Sequence, residues 1–215
     1  MTTAERQPVD LLAKQRPRQA RAKRTYETIL SSAAELLVEV GIERISTNLI
    51  AERAGVTVPA LYRYFPNKYA VIHALGTDLM KKQNLAFANW LSGYLDEGDP
   101  MIVLEHGGEM LRVIYDVIQT ELAGIEIFHA LRALAPLREL RMASRRESSE
   151  RLVDFVLQLR KVPRTDDLVL RARLTVDLAC SLVEMAIEDD QLDPDSVMHE
   201  GATMLCEYWR PYVSA

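Results

Sequence analysis

Apolar residues recur at three- and four-residue intervals through most of the chain, and this helical period is the feature that most limits the fold. No segment alternates apolar and polar residues in the manner of a β-strand. The sequence therefore predicts an all-α fold of about nine helices. The first helix shows the pattern most clearly, at Tyr26, Ile29, Leu30, Ala33, Leu37 and Val40.

Glycine and proline residues divide this pattern into separate helices. The first helix is predicted to begin near Arg18 and to end at Gly41 in a left-handed cap. The later long helices are predicted at 67–95, 101–122, 124–135, 137–161, 166–190 and 195–212, with breaks at Gly98-Asp99-Pro100, Gly124, Pro136, Pro163 and Asp193-Pro194.

Two short helices lie between the first helix and these later ones. Thr47 is predicted to cap the first, over 48–54, which stops at Gly55. Thr57 can cap the second, which has Pro59 in its first turn, where the missing N–H costs nothing, followed by Ala60 to Phe65. A helix, a glycine-containing turn and a second helix form the unit in which one helix crosses the DNA backbone and the other enters the major groove. Such short helices also occur in bundles that do not bind DNA.

The net charge of −5 is divided unequally along the chain. Residues 1–68 carry a net charge of +4 and the remainder −9, as expected if one end approaches a polyanion. We predict a flexible basic arm over 1–17, a DNA-binding domain over 18–68 and a helical ligand-sensing and dimerisation domain over 69–215. The basic stretch is either a solvated tail or a contact to phosphate or the minor groove; it contains Lys14, Arg16, Arg18, Arg21, Lys23 and Arg24.

Two further features of the sequence bear on the cellular location of the protein. No apolar run approaches the roughly 18–20 residues of a membrane-spanning helix, and the N-terminus lacks the apolar stretch of a signal peptide. We therefore expect a cytoplasmic protein.

Cys180 and Cys206 both fall in helical patterns and are expected to be small apolar core residues rather than a redox pair or a metal site.

A set of motifs in the first third of the chain resembles one family of transcription regulators. The run from Gly55 to Lys68 is the most specific part, and the resemblance, to the tetracycline-repressor (TetR) family, covers about residues 21–75. Its motifs are Ile29-Leu30-x2-Ala33, Gly41, Ser46-Thr47, Ile50-Ala51-x2-Ala54-Gly55-Val56-Thr57, Leu61-Tyr62-Arg63-Tyr64-Phe65 and Asn67-Lys68. Beyond about residue 80 the chain is similar to the family only in architecture.

The resemblance implies a homodimer that binds a palindromic operator, usually as a repressor. A small-molecule effector would release it by tilting the fourth helix and changing the spacing of the two DNA-binding heads. It also implies that base contacts come from Asn48, Val58, Pro59, Ala60 and Arg63. The Arg63 guanidinium can hydrogen-bond guanine O6 and N7 together, with a phosphate contact as its alternative.

Other residues of the motif have simpler physical roles. The small side chains of Ala51 and Ala54 allow two helices to approach closely, and larger apolar residues close the core: Ile29, Ala33, Leu37, Ile50, Val56, Leu61 and Phe65. Hydroxyl and cationic groups are expected to bind phosphate, which fixes the orientation of the protein on the duplex without specifying the base sequence. These groups belong to Thr47, Thr57, Tyr62, Tyr64 and Lys68, with Arg18 and Arg21 from the basic stretch.

The long C-terminal helices are expected to supply the dimer interface and an apolar effector site. The dimer stripes are predicted at Leu174, Leu178, Leu182, Val197, Gly201, Leu205, Tyr208 and Trp209, which could instead pack the core of one chain. Candidate effector-binding residues, each also a plausible core residue, are Phe87, Trp90, Tyr94, His106, Met110, Ile114, Tyr115, Phe128, His129, Met142, Phe155 and Met185. The expected ligand is largely hydrophobic with one or two polar handles.

Two other classes of function are weaker alternatives. Glu126 and His129 form one Glu-x-x-His pair of the kind found in di-iron helical bundles, but such sites need a second pair and two further glutamates. A helical adaptor that binds protein through its C-terminal stripes is the other alternative. No nucleophile elbow, phosphate-binding glycine loop or Ser/His/Asp cluster is present, so no catalytic residue, cofactor or metal is expected.

Overall fold

The computed structural model describes residues 10–13, 19–95 and 100–213. All regular structure in these residues is helical, as predicted. The helices are α1 (Ala20–Arg44), α2 (Thr47–Arg53), α3 (Val58–Tyr62), α4 (Lys68–Gly93), α5 (Pro100–Glu105), α6 (Gly107–Thr120), α7 (Gly124–Ala133), α8 (Arg138–Arg160), α9 (Asp166–Glu188) and α10 (Pro194–Val213), with a 3-10 turn at Ala135–Leu137 between α7 and α8.

One predicted long helix, 101–122, is two helices in the structure. It breaks at His106, where the backbone N–H and ring Nδ1 lie 3.2 and 2.7 Å from the Ile102 carbonyl oxygen. Two glycines follow, which favour the helical conformation less than other residues do. Gly108 faces α10, where a built Cβ would lie at an ordinary contact distance of 3.5 Å from that of Ala202.

The first helix is interrupted at the predicted glycine. Gly41 has φ +73° and ψ 171°, so α1 bends there and one further turn runs to Arg44. A positive φ favours glycine, because side chains with a Cβ rarely adopt it. The predicted start at Arg18, like most of the basic arm, lies outside the described residues.

The described chain packs as two compact units. The head unit contains the described residues up to Leu79 together with Glu121–Arg141, and the body unit contains Met80–Thr120 and the residues from Met142 onward. The predicted boundary at 68/69 does not coincide with this division. The head unit also contains α7, which packs against α1. Gly76 of α4 also lets α7 approach closely within the head unit, since a Cβ there would lie 2.7 Å from Leu131 Cδ2.

The core of the head unit is the one that the motif predicts, with one exception. Val56 is only half-buried. Tyr26 stacks on Phe65 with ring centroids 4.9 Å apart, which adds an aromatic contact between α1 and the end of the motif. The buried side chains are those of Ile29, Ala33, Leu37, Ile50, Leu61 and Phe65.

An ion pair fastens α2 to α1 on the surface of the head unit. The two terminal nitrogens of Arg53 lie 2.8 and 2.5 Å from the two carboxylate oxygens of Glu39, and one of them lies 3.4 Å from Glu35. These hydrogen bonds from Arg53 hold the pKa of the Glu39 carboxyl below its ordinary value. The paired geometry fixes direction as well as distance, so it helps to set the angle of α2 on α1.

In the body unit α10 packs against α5, α6 and α9. Its buried face includes Leu205 and Trp209, and the indole N–H of Trp209 donates to Thr175 Oγ1 on α9 at 2.8 Å. Arg171 of α9 lies over the Tyr208 ring, with its guanidinium carbon 4.4 Å from the centroid. These contacts make α9 and α10 one packed pair.

Most of the residues predicted for the dimer interface are not among the exposed apolar residues of this pair. Five predicted residues are buried within their own chain: Leu182, Val197, Gly201, Leu205 and Trp209. Leu178 and Tyr208 are half-buried, and only Leu174 is exposed. Spacing marks an apolar stripe but does not say which neighbour covers it. The exposed apolar side chains on α9 and α10 are Leu170 (56%), Leu174 (50%), Met185 (43%) and Met204 (55%).

No helix in the described part of the chain is both long and apolar enough to cross a lipid bilayer.

The close approach at Gly201 makes this position sensitive to size. A Cβ there would lie 2.6 Å from Leu182 Cδ1 and 3.3 Å from Leu111 Cδ1. We expect Gly201→Val to lower the free energy of unfolding by about 1–3 kcal/mol, because a β-branched side chain overpacks this site.

Gly93→Val is the matched control, because among the described residues no heavy atom other than those of its own helix backbone and chain neighbours lies within 4 Å of a Cβ built at Gly93. It should change the free energy of unfolding by less than about 0.5 kcal/mol. Urea denaturation at one fixed protein concentration measures both variants. Equal losses in the two variants would contradict the packing described for Gly201.

Candidate nucleic-acid interface

Two hydroxyl caps define the starts of α2 and α3. Ser46, not the predicted Thr47, caps α2: its Oγ accepts a hydrogen bond from the backbone N–H of Leu49 at 3.3 Å. Thr57 caps α3 as predicted, accepting from the N–H of Ala60 at 3.3 Å. Both caps use side-chain oxygens at the N-terminal end, where backbone N–H groups lack helical partners.

The turn between α2 and α3 requires one left-handed residue. Gly55 has φ +64°, and the N–H of Val56 then donates to the carbonyl of Ala51 at 3.0 Å. This turn brings the chain back so that α3 begins at Val58. The predicted helix-turn-helix is therefore present, with α3 capped at Thr57 as predicted but ending at Tyr62 rather than at Phe65.

The short helix α3 has one buried face and one exposed face. Leu61 and Phe65, four residues apart, are fully buried, and this spacing places them on the same side of the segment. Tyr62 and Arg63 are exposed, Tyr62 at 40%. The burial of one side thus leaves the other side available to a partner.

The residues predicted to contact bases lie on accessible parts of this motif. Asn48, Pro59 and Arg63 are exposed, and Val58 and Ala60 are half-buried. Arg63 has no ion pair within the described residues, so its guanidinium is not neutralised by the head unit.

The residues predicted to contact phosphate differ in their surroundings within the head unit. Thr57 and Arg21 are exposed. Thr47 and Tyr62 contact each other, with 3.1 Å between their hydroxyl oxygens, which joins the start of α2 to the end of α3. Tyr64 is half-buried with its ring edge-on to Tyr26, at 6.2 Å between centroids.

Lys68 has a structural role that sequence reasoning missed. Its Nζ donates to the carbonyl oxygens of Ile42 and Ile45, both at 3.2 Å, so it fastens the start of α4 to the end of α1. An ammonium group has three donors, which leaves one for phosphate. Asn67 caps α4 next to it, since its Oδ1 accepts from the N–H of Ala70 at 2.9 Å. Arg18 lies outside the described residues.

The residues predicted to bind an effector are distributed over both units. Phe128 and His129 belong to the head unit and the other ten to the body unit. Phe87, Met110 and Phe155 are buried, whereas His129 and Met185 are exposed. The half-buried members are Trp90, Tyr94, His106, Ile114, Tyr115, Phe128 and Met142.

The rings of three of these residues lie in a row in the body unit, each tilted relative to the next. The rings of Trp90 and Tyr94 are 5.0 Å apart, and those of Tyr94 and His106 are 5.5 Å apart. The Tyr94 hydroxyl donates to Glu109 at 2.9 Å. The indole N–H of Trp90 is buried and has no acceptor within the described part of the chain, which is an unsatisfied polar group of the kind that requires an explanation.

The Glu126 and His129 pair lies on α7 of the head unit. Glu126 is half-buried and His129 is exposed, with its ring beside that of Phe128. Within the described residues no group of three or more His, Cys, Asp or Glu side chains is placed to hold a metal ion.

Two family models match the chain. Residues 29–75 match "Bacterial regulatory proteins, tetR family", which covers the motif above, and residues 108–208 match "Tetracyclin repressor-like, C-terminal domain". The two segments together span more than half of the chain.

Curated relatives match mainly in the head. The class C tetracycline repressor protein of Escherichia coli is 44% identical over 54 residues, which are 25% of this chain and 25% of that protein. The A-factor receptor protein of Streptomyces griseus is 34% identical over 92 residues, 43% of this chain and 30% of the receptor. The matched segment thus spans about a quarter to a third of the length of these relatives.

Solved structures extend the likeness to the whole fold. A TetR-family transcriptional regulator from Streptomyces coelicolor superposes with a TM-score of 0.58 at 24% identity, covering 89% of this chain and 98% of that one. FadR from Thermus thermophilus, a TetR-family repressor in complex with lauroyl-CoA, gives 0.59 at 20% identity, covering 85% and 94%. Both family models, the curated relatives and the fold agree, and the chain belongs to the tetracycline-repressor (TetR) family of bacterial regulatory proteins.

Proposed function

We propose that the protein is a ligand-responsive transcriptional regulator, not an enzyme, and that a homodimer binds a palindromic operator through α2 and α3. The observation that carries this proposal is the division of α3 and its C-terminal end, where Leu61 and Phe65 are fully buried and Tyr62 and Arg63 face solvent. A helix held by its inner face presents its outer side chains in a fixed position, which readout in the major groove requires.

Sequence readout would come from the exposed starts of α2 and α3 and from Arg63 at the C-terminal end of α3. Arg63 is the strongest candidate, because an unpaired guanidinium can donate two hydrogen bonds to guanine. Asn48 at the start of α2 offers an amide, which can pair with adenine. Val58 and Ala60 could contact only thymine methyl groups, so they would contribute shape rather than hydrogen bonds.

Orientation on the duplex would come from the hydroxyl groups and from backbone N–H groups. The Thr47 and Tyr62 pair presents hydroxyls from both helices at one place, and Thr57 lies at the N-terminal end of α3, where the helix favours anions. Lys68 would contribute through its remaining N–H. These contacts fix register without reading sequence.

Arg63→Ala tests the base-reading role. Selection of bound DNA from a random pool first defines the operator, which we expect to be a palindrome. The variant should bind that operator about 1–3 kcal/mol more weakly and should lose preference at one base pair of each half-site, because the bidentate contact is gone. Fluorescence anisotropy with the operator and its single-base variants measures both effects.

Arg44→Ala is the matched control, since Arg44 is an exposed arginine of the head unit at the end of α1. It should leave the preference at every base pair unchanged. A protein that selects no sequence would contradict the proposed function and favour the helical adaptor. A weaker Arg63→Ala complex with unchanged preference would assign Arg63 to phosphate instead.

The homodimer is proposed to form through the exposed apolar side chains of α9 and α10. On α9, Leu170 and Leu174 are four residues apart with Leu178 next along the same stripe, and Met185 continues it. Met204 adds an apolar side chain from α10. Long exposed apolar side chains at helical spacing mark a surface that another protein covers. A palindromic operator requires two heads, so a second copy is the partner that fits.

Leu174→Arg should convert the dimer to monomer, because a charge would be buried at the centre of this surface. Leu85→Arg is the matched control, since Leu85 is an exposed leucine of the same body unit on α4. Sedimentation equilibrium over a concentration series should show the wild type and Leu85→Arg as dimers and Leu174→Arg as monomer. A dimeric Leu174→Arg, or a monomeric wild type, would refute this surface.

The effector is proposed to be largely hydrophobic with one or two polar groups. Phe87, Met110 and Phe155 supply buried apolar surface in the body unit, and the unsatisfied indole N–H of Trp90 offers a hydrogen bond to a ligand acceptor. The structural relative FadR is a repressor solved with lauroyl-CoA, whose acyl chain is hydrophobic and whose coenzyme A part is polar and charged. Effector binding would shift the population toward an arrangement that releases the operator.

A further inference from the structure

An aromatic row, formed by the side chains of Trp90, Tyr94 and His106, lies around the C-terminal end of α4 in the body unit. All three side chains are half-buried. Phe87, which is buried, precedes Trp90 by three residues and shares its side of the helix. The aromatic row therefore offers apolar surface that a ligand can reach next to the core of the unit.

The indole N–H of Trp90 is a hydrogen-bond donor without an acceptor. Its nitrogen is buried, and no oxygen in the part of the chain that the structure describes accepts from it. The other tryptophan of the chain, Trp209, donates instead to Thr175 Oγ1 at 2.8 Å. A buried donor left unpaired costs free energy, so a ligand oxygen that accepts from Trp90 would gain affinity.

The carboxylate of Glu109 lies beside the aromatic row. It accepts a hydrogen bond from the Tyr94 hydroxyl at 2.9 Å, and it lies 3.9 Å from His106 Nε2. No lysine or arginine pairs with it within the described residues. A histidine ring is positively charged only when it is protonated. A carboxylate next to aromatic ring faces attracts an organic cation, through Coulomb attraction and through the negative faces of the rings.

The sequence around the aromatic row gives it a negative potential. Residues 83–111 contain no lysine or arginine. The next basic residue, Arg112, donates to the carboxylates of Asp116 and Asp195. A negative potential favours a cationic ligand and disfavours an anionic one. The acidic residues of the segment are Asp96, Glu97, Asp99, Glu105 and Glu109.

We propose that the effector is a hydrophobic organic cation that also carries a neutral oxygen acceptor. Its cationic group lies near Glu109 along the aromatic row, and its oxygen accepts from the Trp90 indole N–H. This assignment rests on the proposed function and adds a charge to the largely hydrophobic effector named there. An anion such as an acyl-coenzyme A is disfavoured, because its phosphates would meet the carboxylates of this segment.

Four probes separate charge from hydrogen bonding. Hexanoylcholine carries both a cation and an ester. Nonyltrimethylammonium keeps the cation but has methylene groups in place of the ester, and the neohexyl ester of hexanoic acid keeps the ester but has carbon in place of the choline nitrogen. Hexanoyl-coenzyme A is the anionic probe. Isothermal titration calorimetry measures the soluble probes, and competition against hexanoylcholine measures the neohexyl ester.

The variants are Trp90→Phe, which keeps a ring without the N–H, and Glu109→Gln, which removes the charge. Each has a matched control in the body unit. Trp209→Phe removes an indole N–H that already has an acceptor. Glu150→Gln removes an exposed carboxylate that pairs with Arg164 at 2.8 Å.

Affinity ratios between probes cancel the general effect of each substitution. In Trp90→Phe the ratio of hexanoylcholine to nonyltrimethylammonium should fall roughly fivefold, because only the ester can accept from the lost N–H. In Glu109→Gln the ratio of hexanoylcholine to the neohexyl ester should fall roughly threefold or more, because only hexanoylcholine is charged. Both controls should keep both ratios within about twofold of the wild type. The wild type should bind hexanoyl-coenzyme A more weakly than hexanoylcholine.

An unchanged ratio in either variant would overturn the inference, and so would a wild type that binds none of the probes or that binds hexanoyl-coenzyme A most tightly. Fluorescence anisotropy of the operator complex with added hexanoylcholine distinguishes this failure from failure of the proposed function. The expected ratios with an unchanged operator affinity would retain the cation site and contradict ligand-responsive regulation. Release of the operator by hexanoyl-coenzyme A alone would retain the proposed function and overturn the cationic effector.

Discussion

The burial of Leu61 and Phe65 in the core of the head unit is the interaction on which the rest of the DNA-binding head depends. A five-residue helix has almost no stability of its own, because forming a first helical turn costs more entropy than its few hydrogen bonds return. Truncating a fully buried leucine or phenylalanine typically costs about 2–5 kcal/mol, against a total stability of about 5–15 kcal/mol for a domain. The outward position of Arg63 is therefore a consequence of inward packing.

Polar contacts then restrict the orientation that packing leaves open. The Arg53 and Glu39 pair joins α2 to α1, the Thr47 and Tyr62 hydroxyls join α2 to α3, and Lys68 joins α4 to the end of α1. Exposed ion pairs and single hydrogen bonds each contribute little stability, but together they limit rotation of the short helices. The head is thus a preorganised surface, which lowers the entropy that binding must overcome.

The head could be predicted in more detail than the body, and particular residues show why. Gly41, Gly55 and the Thr57 cap each act through local backbone geometry, which the sequence carries directly. Ser46 and Thr47 are adjacent hydroxyl residues, and only the backbone angles decide that Ser46 is the cap. The two apolar stripes of α9 and α10 have the same period whether they face the core or another copy, and only the packed chain shows that most of the predicted interface residues face the core. Contacts of this kind are set by tertiary packing, which spacing does not encode.

Hydrogen–deuterium exchange of the full chain with and without its selected operator tests the central claim most directly. If α3 enters the major groove and α2 crosses the backbone, amide exchange over Thr47–Tyr62 should slow on DNA binding, with the largest change at the start of α3. Protection confined to α9 and α10, with none over Thr47–Tyr62, would show that the exposed face of α3 is not where DNA is bound.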